Sequence, residues 1–321
     1  MVNSFIEERN REMQDSLWLG FHYSNKLNEA RIMESYSRVP DIDSYISKFL
    51  EIMDIMTYYG EHDNTFTITK NVFSDIKSCW FENIELTIEY VREANVKGKG
   101  FISVKNATLS NGKLSTLKGS FVFHGDWKII KRYVPGLVSH EFLHNYECWK
   151  RLLGGGKHMF DIAADSGYLI NNQIALDSDN DTEKILSEIF YFCHNVERRA
   201  YTAQINQELK MYREDIHDKE SAFEILKSIS LYNRYVKLGA KLQLLNNAYK
   251  TDDDIKKDIV GYYYKVTGKT ESPKNIMNYM CRIYQKTWYY VRKKTTQFIN
   301  KLYENNSVPP EWIEDFTPLF G

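Results

Sequence analysis

Two histidines and a glutamate with helical spacing are the residues of this sequence best suited to chemistry. They lie in "VSHEFLHNYECW", Val138 to Trp149, as His140, Glu141 and His144. On a helix, residues four apart share a face, so His140 and His144 can both direct a ring nitrogen at one ion about 2 Å away. Glu141 is turned by about 100° from His140 and can reach a water molecule on that ion.

This spacing indicates a zinc site for hydrolysis. Zinc lowers the pKa of a bound water to about 7, and a neighbouring carboxylate can take the proton as the water attacks a carbonyl group. The pattern therefore predicts Glu141 as a general base. The structural alternative is a helix with one buried and one surface histidine, on which Glu141 is solvated.

A sheet and the helix after it must position these residues. Apolar residues at spacings of three and four predict a helical layer over 1–60. Segments rich in β-branched and aromatic residues predict a small, mostly antiparallel sheet between about 64 and 125, with a hairpin turn at "SNGK", Ser110 to Lys113. Pro135 suits the first turn of the histidine-bearing helix, and Gly154 begins the glycine run that ends it.

The rest of the chain has a helical pattern. Asp181 and Thr182 can cap a long helix from Glu183 to about Arg213, and further helices are predicted as far as about residue 304. We therefore expect an α+β fold, with a small, mostly antiparallel sheet before the site helix in a largely helical protein. Its expected regions are an N-terminal layer (1–60), a core with the site (61–213) and a helical region packed on that core (214–321).

Composition excludes some functions and favours others. Lys and Arg number 42 and Asp and Glu 43, a net charge of −1, which argues against a strongly basic nucleic-acid binder. The four scattered cysteines predict reduced thiols. The sequence lacks a secretory signal pattern and an apolar run of eighteen residues, so we expect a cytoplasmic protein that does not enter a membrane.

The histidine-bearing stretch resembles the active-site helix of the zincin metallopeptidases, which follows a sheet in the chain. The metzincin subclass would have Gly and His where this sequence has Glu147 and Lys150, and it is excluded. The gluzincin subclass takes its third zinc ligand from a glutamate on a downstream helix. The predicted helix from 183 offers Glu183, Glu188 and Glu197.

Glu197 is the favoured third ligand. It shares a predicted face with Cys193, Ala200 and Gln204, and small residues there let two helices approach closely. "VERRAY" also has the Glu-x-x-Ala spacing that follows the third ligand in several gluzincin families. Glu188 is the reserve ligand. The alternative for Glu197 is a surface glutamate paired with Arg198 or Arg199.

The resemblance also implies supporting parts. An edge strand beside the site helix would hold an extended peptide by main-chain hydrogen bonds, and strand 99–109 is the candidate. The oxyanion stabiliser is predicted among aromatic and histidine side chains: Tyr201 and His158, and also His194 and Tyr146. Asp161 or Asp165 could hold the far ring nitrogen of a ligand histidine. Asn145 and Glu147 are predicted to face solvent.

The leading hypothesis is thus a zinc-dependent peptidase with a polypeptide substrate and Zn²⁺ as its cofactor. A rival is a non-catalytic structural or assembly protein that keeps a zincin-like fold, is encoded by a phage or mobile element, and associates with protein partners or a virion. A third hypothesis, nucleic-acid binding, rests on the basic aromatic stretch 281–303. It is disfavoured because Ile283, Trp288 and Val291 have core-like spacing there.

Overall fold

The structure is a computed structural model, and it describes residues 39–59, 64–68, 73, 75–92, 97–103, 108–156, 171, 173–174, 177–212 and 215–302. Helix α1, Ile42–Tyr59, belongs to the expected N-terminal helical layer. Residues 1–38 of that layer lie outside the described residues, as do His158, Asp161 and Asp165. The fold is α+β and largely helical, as expected.

The chain divides into two compact units, of which the first is formed by Asn25–Phe160 and Arg199–Met211. Besides α1, its described residues form the strands β1 (Asn64–Ile68), β2 (Phe81–Val91), β3 (Lys97–Ser103), β4 (Leu109–Ser110) and β5 (Lys113–His124). Apolar and polar residues alternate along β2, so one face of the sheet is buried and the other is more exposed.

The sheet has the order β1-β2-β5-β3, and β4 also pairs with β5. Three of its pairings are antiparallel, as predicted, but the central pairing of β2 with β5 is parallel. The difference arises because β3 and β4 lie in the connection between β2 and β5. The predicted hairpin turn is confirmed between β4 and β5, where Asn111 and Gly112 both have positive φ, 49° and 74°.

Helix α2, Trp127–Leu153, carries the two histidines. It begins eight residues before the predicted start, because the Asp126 side chain caps it by accepting a hydrogen bond from the Lys128 backbone N–H at 2.8 Å. Pro135 therefore lies inside the helix, and the prediction that it occupies the first turn is wrong. The helix ends at Gly154, and Gly155 has a φ of 73°.

An aromatic core joins α1 and α2 to the buried face of the sheet. Phe49 of α1 contacts Phe121 of β5, with ring centroids 4.8 Å apart. Tyr45 of α1 lies 5.0 Å from Phe142 of α2. Because Phe142 is two residues after His140, this packing also fixes the site-bearing part of α2 on the sheet.

The predicted helix from 183 to 213 is in fact two helices. Asn180, rather than Asp181 or Thr182, caps α3, Asp181–Cys193, by accepting from the Glu183 N–H at 3.0 Å. At His194 the backbone leaves the helical conformation, with φ −59° and ψ 136°, and α4 follows at Asn195–Lys210. The boundary between the units, after Arg198, falls inside the continuous helix α4.

The described residues of the second unit lie within Asp161–Arg198 and Tyr212–Gly321. Its described helices are α3, α5 (Lys219–Ser228), α6 (Ser230–Ala248), α7 (Asp253–Thr267) and α8 (Pro273–Leu302). The Asp252 side chain caps α7, and Gly268 follows the helix with a φ of 68°.

Buried tyrosines link the helices of this second unit. The Tyr235 hydroxyl donates to the Phe192 carbonyl at 3.1 Å, and the Tyr284 hydroxyl donates to the Tyr235 carbonyl at 2.9 Å. On α8, Ile283 and Val291 are buried. Within the residues that the structure describes, none of the helices is both long and apolar enough to cross a membrane.

Candidate metal centre

Helices α2 and α4 run antiparallel where the site forms. Near the start of α2, Gly136 faces Gln204 and Glu208 of α4. One turn further along α2, the His140 ring lies 4.6 Å from the ring of Tyr201. From the first of these contacts to the second, the residue number rises on α2 and falls on α4, as in an antiparallel pair. All these residues belong to the first unit.

His140 and His144 direct their ring nitrogens at one point. Their Nε2 atoms are 3.0 Å apart, and the ring planes are nearly perpendicular at 84°. Two nitrogens bound at about 2.05 Å to one tetrahedral zinc ion lie about 3.3 Å apart. His140 is buried and His144 is half-buried, so the approach of the two Nε2 atoms, rather than burial, distinguishes this pair from two unrelated histidines on one helix.

Glu197 is the third member of the group that could hold a metal ion. It lies one turn before Tyr201 on α4. The possible ligand atoms of His140, His144 and Glu197 all lie within 4.8 Å of one another. Two imidazole nitrogens and one carboxylate oxygen fit zinc, whose catalytic sites use three such ligands and leave a fourth position open.

Only part of the helical face predicted for Glu197 is present in the fold. The break at His194 separates Cys193 from α4, so Cys193 and Glu197 do not share one helical face. Ala200 and Gln204 do lie on α4, and both are buried. Glu197 itself is 4% exposed, so the surface alternative for it is wrong.

The other candidate glutamates are engaged in the second unit. Glu188 accepts from Arg234 at 2.9 Å and lies 3.8 Å from the Lys241 ammonium nitrogen. Glu183 accepts from the Lys265 ammonium group and from the Ser178 hydroxyl. These ion pairs account for both carboxylates, and neither belongs to the group formed with the histidines.

Glu141 is buried beside the sheet, so its predicted solvation in the structural alternative is wrong. Its Oε2 atom accepts a hydrogen bond from the Ile102 backbone N–H at 3.2 Å. Ile102 lies on β3, which pairs only with β5 among the described strands and so forms one edge of the sheet. The candidate edge strand of the sequence, 99–109, thus corresponds to β3 and the start of β4.

The predicted oxyanion stabilisers have different surroundings. Tyr201 is half-buried, and its ring contacts that of His140. Tyr146 packs between Trp80 and Trp149, and burial raises the pKa of its phenol. His194 is buried at the junction of α3 and α4. Among these candidates, Tyr201 contacts a histidine of the group that could hold a metal ion.

Asn145 and Glu147 are buried, and the prediction that they face solvent is wrong. The Asn145 side-chain amide donates to the Glu141 carbonyl at 2.7 Å. Glu147 accepts two hydrogen bonds from Arg199 of α4, at 2.7 and 2.8 Å. The seven-residue spacing from His140 to Glu147 could have revealed this, because it places both residues on one helical face.

A buried carboxyl group also lies between the two helices. Burial raises the pKa of Glu208 to about 7, although a hydrogen bond from the Gln204 amide at 3.0 Å opposes this shift. Gly136 leaves the space that Gln204 and Glu208 occupy, since a Cβ there would lie 2.8 Å from the Glu208 Cγ atom.

Comparison with family models, with curated proteins and with solved structures finds no match for this chain.

Proposed function

We propose that this protein is a zinc-dependent peptidase of gluzincin type. His140, His144 and Glu197 hold the metal, and Glu141 is the general base. The observation that carries the proposal is the convergence of the two Nε2 atoms, 3.0 Å apart, with a buried glutamate of a second helix. When bound, zinc activates water and polarises the substrate carbonyl.

Glu141 is suited to move the proton. Its carboxylate is held at the edge of the sheet by the Ile102 N–H, one residue from His140 on the same helix. In the proposed reaction it accepts a proton from the attacking water and transfers it to the leaving amine. Tyr201, whose ring contacts His140, is proposed to donate to the oxyanion that develops on the substrate.

The proposed substrate is a polypeptide in extended conformation. β3 lies at the edge of the described sheet and contacts the general base through its main chain. An edge strand of this kind can hold a peptide by main-chain hydrogen bonds. This position would bring the peptide beside the histidines and Glu141.

The test begins with zinc content after purification without a chelator. We expect bound zinc in the wild type and in Glu188→Gln, the matched control, and its loss in Glu197→Gln. Wild-type protein without zinc would refute the proposal. If Glu197→Gln retained zinc and Glu188→Gln lost it, the third ligand would be Glu188 instead.

Glu141→Gln then separates metal binding from catalysis. We expect this variant to keep its zinc and to lose roughly 10²- to 10⁴-fold of its hydrolysis of an unfolded polypeptide, because the proton acceptor is gone. Zinc binding by a wild type that hydrolyses nothing would instead favour the non-catalytic assembly protein.

A further inference from the structure

The buried ion pair between α2 and α4 lies within one helical turn of two proposed ligands along the chain. Glu147 is three residues after His144, and Arg199 is two residues after Glu197. The Arg199 Nε and Nη2 atoms donate to the two carboxylate oxygens of Glu147, at 2.7 and 2.8 Å. The two side chains are 9% and 3% exposed, so water screens the pair little.

The geometry of this pair restrains how the helices can move. Two parallel hydrogen bonds between a planar guanidinium and a carboxylate fix orientation as well as distance. A glutamate carboxylate lies about 6 Å from the axis of its helix. A rotation of α4 by about 20° would therefore move the Glu197 carboxylate by about 2 Å. Metal–ligand distances tolerate only about 0.2 Å, so the site needs such a restraint.

A gain in stability does not by itself explain why an ion pair is buried at this position. Taking two charges out of water is unfavourable, and well-packed apolar residues often stabilise an interface equally well or better. Another ion pair of α4, Lys210 with Asp43, is exposed and lies at the far end of the helix. The buried pair is the one beside the ligands.

We propose that Glu147 and Arg199 are positioning residues for the metal: their ion pair fixes α4 against α2 and thereby holds Glu197 beside His140 and His144. This inference rests on the proposed metal site, but it does not require that the site hydrolyse peptides.

The test compares zinc affinity with thermal stability. Arg199→Lys keeps the charge but loses the two-bond geometry, and Glu147→Met/Arg199→Met replaces the pair by apolar side chains of similar length. We expect both variants to stay folded and to bind zinc about 10- to 100-fold more weakly than wild type, measured by competition with a chromophoric chelator. Lys210→Met is the matched control and should bind zinc as wild type does.

Zinc affinity within threefold of wild type in both variants would overturn this proposal and leave the proposed metal site intact. A wild type that binds no zinc would overturn both proposals. Loss of the folded state in both variants, seen as a lost melting transition, would assign the pair to folding alone and would also overturn the inference.

Discussion

Gly136 of α2 faces Glu208 of α4 at a distance that leaves no room for a Cβ atom. Such an atom would lie 2.8 Å from both the Cγ and an Oε atom of Glu208. Alanine is normally better than glycine inside a helix by about 1 kcal/mol. We expect Gly136→Ala nevertheless to lower the free energy of unfolding by about 1–2 kcal/mol in urea denaturation, because overpacking outweighs that preference.

Gly261 is the matched control for this substitution. It also lies inside a helix, α7, but a Cβ there would meet no atom within 4 Å. Gly261→Ala should therefore raise the free energy of unfolding by about 0.5–1 kcal/mol. If Gly136→Ala gives the same gain, the two helices do not approach as closely as described.

Glu208 should make stability depend on pH. Its ordinary pKa is 4.5, and burial raises it to about 7 in the folded protein. Between these values the folded state binds more protons than the unfolded state, so stability falls as pH rises. The contribution of Glu208 is fully present below about pH 4.5 and is lost above about pH 7, a change of up to about 3 kcal/mol.

Glu208→Gln isolates this contribution from those of the other titrating groups. Gln at position 208 cannot ionise. The free energy of unfolding of the variant, relative to that of wild type, should therefore rise by up to about 3 kcal/mol between pH 4.5 and pH 8. Urea denaturation of both proteins at the two pH values measures the difference. An unchanged difference would mean that Glu208 ionises normally in the folded state.

Metal removal should destabilise the folded protein. Zinc at a hundred times its dissociation constant should add about 2.7 kcal/mol to the free energy of unfolding relative to protein in chelator. The increment should be absent in Glu197→Gln, because this variant lacks one of the three proposed ligands. A zinc-dependent increment of wild-type size in Glu197→Gln would exclude that residue as a ligand.

The N-cap of α2 offers a test of how the site helix is anchored. Asp126→Ala removes the acceptor for the Lys128 N–H and should lower the free energy of unfolding by about 1 kcal/mol. Asn180→Ala, at the start of α3, removes an equivalent cap and gives the comparison. The effect would be near zero for Asp126→Ala if α2 began at Pro135, as its sequence suggests.

Local patterns predicted the parts of the site that lie on one helix. The spacing of His140 and His144 fixes their common face, and the glycines after Leu153 end the helix as expected. The Asn111–Gly112 turn was also predictable, because few residues adopt positive φ. In each case the decisive interaction lies within a few residues along the chain.

Other features of the fold depend on tertiary contacts and could not be predicted from local patterns. The break at His194 follows no proline or glycine, and Pro135 lies inside a helix despite its missing N–H. Glu147 and Arg199 are 52 positions apart, and no local pattern pairs them. The parallel pairing of β2 with β5 likewise depends on how β3 and β4 return to the sheet.

The order of the strands has a consequence for synthesis of the chain. β3 pairs, among the described strands, only with β5, which follows it in the sequence. During synthesis, β3 therefore lacks its sheet partner until Lys113–His124 has been made. Helix α2 starts at Trp127, directly after that partner. The contact between the Ile102 N–H and Glu141 can therefore form only after β5 and the first half of α2 have both been made.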